Sequence, residues 1–491
     1  MLEKTIFELS SAGRQGHALP QCDVPEKPTD SLIPKNQLRA REPGLPQAAE
    51  IDAFRHFVRL STLNHHVDKG FYPLGSCTMK YNPKVNEDLS RLPGFTGTHP
   101  LQDPADLQGG LRLMKELGDS LCQISGLDAV TLQPVAGAHG EYTAIMMIRA
   151  YHLKQGRVRS KILVPDSAHG TNPATTTLSG YQAVTVKSNA DGLVDPEDLK
   201  AHLDDEVAGL MLTNPNTVGL FEKNIVQITK MVHDIGGLVF MDGANLNAMM
   251  GIVRPGDFGI DAMHFNLHKT FATPHGGGGP GGGGVACTKA LEPFLPLPTI
   301  ATRNVSNGLK QLEYYLDYDR PDSIGKVHSF FGNFGVMVKA YAYIRMLGAK
   351  GLRRVSENAI INANYIMRSL EGIYDLPFKA HCKHECVFSG LRFRDKGIKT
   401  LDIAKRLLDY GYHAPTVYFP LIVPEAIMIE PTETESQETL DEFITAMKKI
   451  AEEIEKTPEI VRSAPHNTPI GRLDDAKAAK DQKLCYRGEC F

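Results

Sequence analysis

The chain has 491 residues, 42% hydrophobic and 22% charged, an ordinary globular composition too long for one simple core; roughly 100–200 residues per domain gives two or three. A net charge of −4 gives no general reason to expect nucleic-acid binding, and no apolar run approaches the ~20 residues of a membrane span. The eight cysteines are scattered, as free thiols in a reducing cytosol would be, and the start Met1–Phe7 lacks a secretory or organelle-targeting pattern, so a cytoplasmic location is expected.

Residues 1 to about 50 are rich in Pro, Gly and charge and read as an extended arm wrapped around a partner subunit. Residues 51–68 carry Phe54, Phe57, Val58 and Leu60 near helical spacing, and 1–60 is taken as arm and helix. From about residue 105 the pattern is α/β. Leu111 to Ile124 is an amphipathic helix, and Tyr142 to Leu153 is apolar almost all round. Short apolar runs follow at 161–164, 183–186, 209–212, 238–241, 262–265 and 285–287, the form of parallel strands covered on both faces. Helices at 196–203 and 225–235 connect them, the first opened by Asp195 as N-cap and Pro196 at the first helical position. The result is a mostly parallel, doubly wound sheet in a large domain over 61–325. A smaller α+β domain is expected over 326–456, with helices at 336–347, 353–370, 401–408 and 435–454 and a strand at 387–394. Its last helix is expected to start with a capping box from Thr434 to Gln437. Residues 457–491 read as a polar tail.

The chemistry concentrates at the ends of the apolar runs. The run 262–265 stops at Asn266-Leu267-His268-Lys269, and Gly276 to Gly284 follow, broken only by Pro280. Such a loop lets backbone N–H groups approach a ligand closely. The run 238–241 ends in Asp242, with Ala244 small enough to lie flat under a ring. A lysine at one strand end and an acid at another suit pyridoxal phosphate: the amine bonds to the aldehyde and the acid keeps the pyridine nitrogen protonated. His169, after the strand at 161–164, is placed to stack on the cofactor. The run Gln133 to Glu141 before the helix at 142 brings small residues to a helix N-terminus, where free N–H groups make an anion site that a phosphate-bearing cofactor needs. The dense set His381, Cys382, His384, Cys386 is too tightly spaced for a usual tetrahedral zinc site, and no metal is expected. Cys485 and Cys490 are read as incidental.

The run Gly70-Phe71-Tyr72-Pro73-Leu74-Gly75-Ser76-Cys77-Thr78-Met79-Lys80 resembles glycine dehydrogenase (decarboxylating), the P protein of the glycine cleavage system. The segments 136–141, 167–174, 213–222, 241–247, 266–284, 413–416 and 430–433 agree, so the resemblance spans nearly the whole chain. The length matches the lysine-bearing half as a free-standing chain, the form called subunit 2. The resemblance implies the type I pyridoxal-phosphate fold, with Lys269 as the Schiff-base residue, Asp242 as the pyridine partner and His169 as the stacking ring. It makes His268, Ala138 and His139 candidate phosphate contacts. It also implies that glycine loses CO2 and that its aminomethyl group passes to the oxidised lipoyl arm of H protein. The implied partners are a subunit 1 in an α2β2 heterotetramer, the lipoylated H protein and, by functional link, T protein and dihydrolipoyl dehydrogenase. No residue is marked for the substrate's carboxylate; Arg303 is one candidate. Another decarboxylase or a cysteine desulfurase would share Lys269, Asp242 and His169.

Overall fold

All six apolar runs become neighbours in one seven-stranded sheet in a computed structural model that describes residues 3–41, 43–276, 281–305 and 311–482. The strands are β1 (Ala129–Thr131), β2 (Lys161–Pro165), β3 (Gln182–Val186), β4 (Val207–Thr213), β5 (Leu238–Gly243), β6 (Ala262–Asn266) and β7 (Gly283–Cys287). Their order is β1-β7-β6-β5-β4-β2-β3. The pairs from β3 to β6 are parallel, and β7 runs antiparallel to β6 and β1. Every residue of β5 is buried, as a strand covered on both faces requires. Leu210, Val239, Met241 and Phe265 contribute to one core, and Ile162, Phe240 and Ala262 to another that packs with Ile145 and Met147 of the helix Gly137–Lys154.

The first connecting helix starts as expected: Asp195 accepts from Glu197 N–H at 3.0 Å and Pro196 occupies the first turn. Two features were not anticipated. β1 is only three residues long, and β8 (Thr299–Val305) and β9 (Gln311–Asp317) form a separate antiparallel hairpin.

The helices expected at 336–347 and 353–370 belong to one element, Phe334–Leu370, interrupted at Gly348, whose φ of 60° and ψ of −177° are non-helical. Val336 to Val355 join the core of the seven-stranded sheet, while Ala363 to Leu370 join a second core under an antiparallel sheet of order β10-β12-β11. Its strands are β10 (Cys386–Ser389), β11 (Thr416–Val417) and β12 (Ala426–Ile429). Helices Thr400–Asp409 and Gln437–Lys456 cover it through Leu407, Phe443 and Met447. The strand expected at 387–394 ends early. Apolar character fails after Phe388, and Leu391–Lys396 form a 3-10 turn closed by left-handed Gly397 (φ 71°). The last helix is capped by Ser436, which accepts from Thr439 N–H; Thr434 Oγ1 instead accepts from Tyr81 N–H.

The chain divides into two compact units. Residues 67–462 hold both sheets and their separate cores; 61–325 and 326–456 stay our proposed domains, with Val336 to Val355 packed in the core of the seven-stranded sheet and residues 61–66 in the other unit. The described residues of 1–66 and 463–491 form the other. In it, the helix Glu50–Leu63 is tied down by Glu3, which accepts from Arg59 at 2.9 Å, while Phe54 and Phe57 are 70% and 61% exposed. Cys485 and Cys490 lie outside the described residues, as do residues 277–280 of the glycine-rich loop.

Candidate active site

Parallel strands place their carboxyl ends along one edge, and chain reversals there open a crevice. Asp242 is the penultimate residue of β5, and the turn after β6 presents Lys269. That turn is fixed by Lys269 N–H donating to Asn266 O at 3.1 Å, by Thr270 Oγ1 accepting from Leu246 N–H at 2.9 Å, and by burial of Phe271. A cavity of about 120 Å³ is lined by Ala138, His169, Asp242, Ala244 and Lys269, five of the seven residues singled out in the sequence. Ser76, Glu141, Thr213, His264, Asn266, His384 and Glu385 complete much of its wall.

Asp242 is 5% exposed. Its carboxylate accepts from Ala244 N–H at 3.0 Å and Asn172 Nδ2 at 3.1 Å, and His264 Nε2 lies 3.4 Å away. No helix starts here, so its partners are site residues rather than a helix to be capped. Burial by itself would raise the carboxyl pKa. The His264 ring, the two donors and nearby Lys269 outweigh burial and hold it below the ordinary value. Asp242 is therefore an ionised acceptor in a dry place, the condition for keeping a proton on a facing ring nitrogen.

Lys269 Nζ donates to Ser76 O at 2.8 Å. Ser76 N–H donates to Glu385 at 2.8 Å, and Thr78 N–H to Glu430 at 3.0 Å. Ser76 and Thr78 adopt left-handed φ values of 66° and 51°, unusual for residues with a Cβ, and these two acids hold them there. His169 sits edge-on to Phe419 with ring centroids 5.5 Å apart, and its Nδ1 accepts from Thr171 N–H at 3.2 Å. Ala138 is the second residue of the helix Gly137–Lys154. At Gly137 a Cβ would stand 3.1 Å from the Asn266 amide, so the helix start approaches β6 closely.

His139 and His268 are not part of the cavity lining. His139 Nδ1 faces Val135 N–H at 3.4 Å. His268 turns to the glycine run, accepting from Gly282 N–H at 3.2 Å. Burial first, then His275 and Lys269, lower its pKa to about 4, so the ring is neutral and brings no positive charge to an anion. Arg303 lies on β8, bound through two nitrogens to Glu313 at 2.8 and 2.9 Å. In the dense His/Cys set the side chains diverge: Cys382 and Cys386 pack in the core of the small sheet, while His384 joins the cavity wall. Among the described residues, the groups of three potential ligands within 4.8 Å are Glu141–Asp242–His264 and His384–Glu385–Glu430, neither containing a cysteine.

The sequence reading missed His264, Asn172, His384 and Glu385. Their signal was faint but present: histidine inside an otherwise apolar strand, and a His-Glu pair immediately before one.

Several buried polar atoms of the wall lack hydrogen-bond partners: Thr213 Oγ1, both ring nitrogens of His264, Asn266 Oδ1 and His384 Nδ1. Buried polar groups are seldom left so, and a ligand with several polar groups would answer them. Together with the amine of Lys269 and the carboxylate of Asp242, the donor set fits pyridoxal phosphate. Fold and cavity define a type I pyridoxal-phosphate enzyme. Residues 137–306 match the aminotransferase class-V family, and residues 355–469 match the glycine dehydrogenase C-terminal domain. The chain is 58% identical to the probable glycine dehydrogenase (decarboxylating) subunit 2 of Chloroherpeton thalassium, over 99% of this chain and 98% of that protein. It is 57% identical to the protein of the same description from Halalkalibacterium halodurans, over 98% and 97%. The chain belongs to the glycine dehydrogenase (decarboxylating) subunit 2 family. Among solved structures, inhibitor-bound glycine decarboxylase (P-protein) of the glycine cleavage system aligns with a TM-score of 0.69 at 19% identity, over 86% of this chain and 94% of that one. A cysteine desulfurase from Thermococcus onnurineus NA1 aligns at 0.59 and 15%, over 79% and 97%. At these identities the likeness is one of fold.

Proposed function

We propose that the protein is the lysine-bearing subunit of a glycine decarboxylase, an oxidoreductase that releases CO2 from glycine and passes the remaining aminomethyl group to the oxidised lipoyl arm of H protein. The observation that carries this is the meeting of Lys269 and ionised Asp242 in one buried cavity, in a chain of this family. Bound pyridoxal phosphate supplies an aldehyde for the substrate's amine and a protonated ring that accepts the electron pair left by CO2. Lys269 is the amine that would hold the cofactor. Asp242 would keep the proton on the pyridine nitrogen, with His264 and Asn172 keeping Asp242 ionised. His169 and Ala244 would flank the ring, and the backbone at Gly137 and Ala138 would face the phosphate. In the whole reaction the glycine carbon–carboxylate bond breaks and a carbon–sulfur bond forms. The disulfide of the lipoyl arm opens, and its second sulfur takes a proton.

The subunit 2 name of the relatives points to a subunit 1, and the exposed Ile51, Phe54, Phe57 and Val58 on the helix Glu50–Leu63 support an assembly in which the N-terminal segment is covered. An α2β2 heterotetramer working with H protein, T protein and dihydrolipoyl dehydrogenase in the cytoplasm completes the reading. Among the described residues no helix is long and apolar enough to cross a membrane. A desulfurase needs a reactive thiolate. Cys77 is the cysteine beside Ser76, and burial raises its pKa, against that role.

The test is exchange of labelled bicarbonate into the glycine carboxyl group, with lipoylated H protein, with and without subunit 1. Exchange that needs both subunits supports the reading. No exchange in a protein that retains pyridoxal phosphate overturns it.

A further inference from the structure

The cavity must hold an amino acid by its carboxylate as well as by its amine, yet no arginine lines it among the described residues. Arg303 is engaged by Glu313. Most donors of the wall already have protein partners. Asn245 Nδ2 donates to Thr78 Oγ1 and to Glu430, Thr217 Oγ1 donates to Ser167 O, and Thr171 Oγ1 donates to Glu141. His264 and Thr213 stand beside Asp242 in the sheet register, on the side assigned to the cofactor ring.

That leaves the segment just before β10. The His384 side chain is 3% exposed and lines the cavity. Its Nε2 lies 3.5 Å from Glu385 Oε1, while its Nδ1 is buried and has no hydrogen-bond partner. Glu385 is itself fixed by Ser76 N–H. Burial works against a charged ring here, but Glu385 and Glu430 prevail and raise its pKa, which favours an imidazolium.

We propose that His384 binds the carboxylate of the substrate through Nδ1, an assignment that rests on the glycine reading above. The choice of a single donor over an arginine fork has a chemical reason. A two-point clamp binds the carboxylate ion strongly, but the charge is discharged as CO2 departs, so much of that binding is lost in the transition state and slows the step. One imidazole N–H orients the group with less ground-state stabilisation to surrender.

The experiment titrates the absorbance of the bound cofactor in the assembled holoenzyme with glycine and, separately, with methylamine, which lacks the carboxylate. In His384→Gln, whose amide replaces the Nε2 end, the Kd for glycine is expected to rise about 10- to 100-fold, the value of one charge-assisted hydrogen bond. Methylamine is expected to bind as in the wild type. His384→Asn, whose amide stands near Nδ1, is expected to recover part of the glycine affinity. Equal weakening of both ligands, or unchanged glycine binding, would overturn the assignment. Should neither variant fold, the wild-type enzyme decides: glycinamide is expected to bind at least about tenfold more weakly than glycine, and equal affinity overturns the proposal. A wild-type holoenzyme that responds to methylamine but not to glycine would count against the glycine reading itself.

Discussion

Two buried histidine–acid clusters face one cavity, and they settle their charge in opposite ways. In Glu141–Asp242–His264 the key acid is ionised: Asp242 has two hydrogen-bond donors and a ring nearby, and its pKa is lowered despite burial. In His384–Glu385–Glu430 the acid Glu430 also accepts from two donors, Thr78 N–H and Asn245, yet its pKa is raised. Burial is the largest cause there and prevails over the opposing charge of His384, while a second carboxylate, Glu385, adds a smaller like-charge repulsion. Similar side chains at similar depth thus divide the labour: one cluster offers a fixed negative charge, the other a histidine whose positive charge is shared between two acids.

Lys269 acts electrostatically on both clusters, so its removal is the bluntest test. Lys269→Ala is expected to abolish bicarbonate exchange while costing about 1 kcal/mol of stability, the value of its bond to Ser76 O; thermal melting beside the exchange assay checks both. Next in size, Asp242→Asn removes the fixed charge but keeps an acceptor for Ala244 N–H. It is expected to cost roughly 10²- to 10³-fold in rate, with near-normal melting; a rate within threefold of wild type would dissolve the contrast between the clusters. His264→Asn takes away the largest cause holding the Asp242 pKa down. Stability from a lowered carboxyl is present above its unfolded pKa and lost as pH falls through the folded one. The variant should therefore lose activity at higher pH than wild type on the acid side. The pH–rate profile measures this. The smallest effect comes from a carboxyl with no compensation at all. Burial alone raises the Glu435 pKa to about 7. Its folded pKa lies above the unfolded value, so stability is full at low pH and falls as pH rises toward 7. Glu435→Gln should be more stable than wild type by about 1 kcal/mol at pH 8 and no more stable at pH 4, read from denaturant midpoints.

Asp242 of the first cluster, like Lys269, was visible in the sequence because it sits where a strong pattern stops. Asp242 one residue from the end of a fully buried strand, and another strand stopping three residues before Lys269, are breaks in otherwise apolar runs. Parallel topology carries such breaks to the same edge. The second cluster was hidden by its neighbours: His384 stands among cysteines that suggest a metal, and it reaches the cavity only because a different sheet presents it. β1 was missed because three residues give no periodicity, and its place is set by pairing with distant β7. The phosphate reading of His268, and of the backbone near Ala138 and His139, came from the family resemblance, and of the side-chain rings it concerned that of His268 alone. The rings of His139 and His268 turn to the backbone at Val135 and Gly282, which the sequence does not foretell, while the backbone at the start of the helix Gly137–Lys154 stays the proposed phosphate contact.

The left-handed segment at Ser76 and Thr78 carries a consequence for how the molecule comes into being. Its two anchoring bonds reach Glu385 and Glu430, sequence separations of 309 and 352 residues. Closing such loops costs entropy that local contacts cannot repay, so neither bond forms early. On the ribosome the constraint is absolute. A chain still short of residue 430 lacks one anchor, and every strand of the large sheet is made well before its catalytic crevice is walled in.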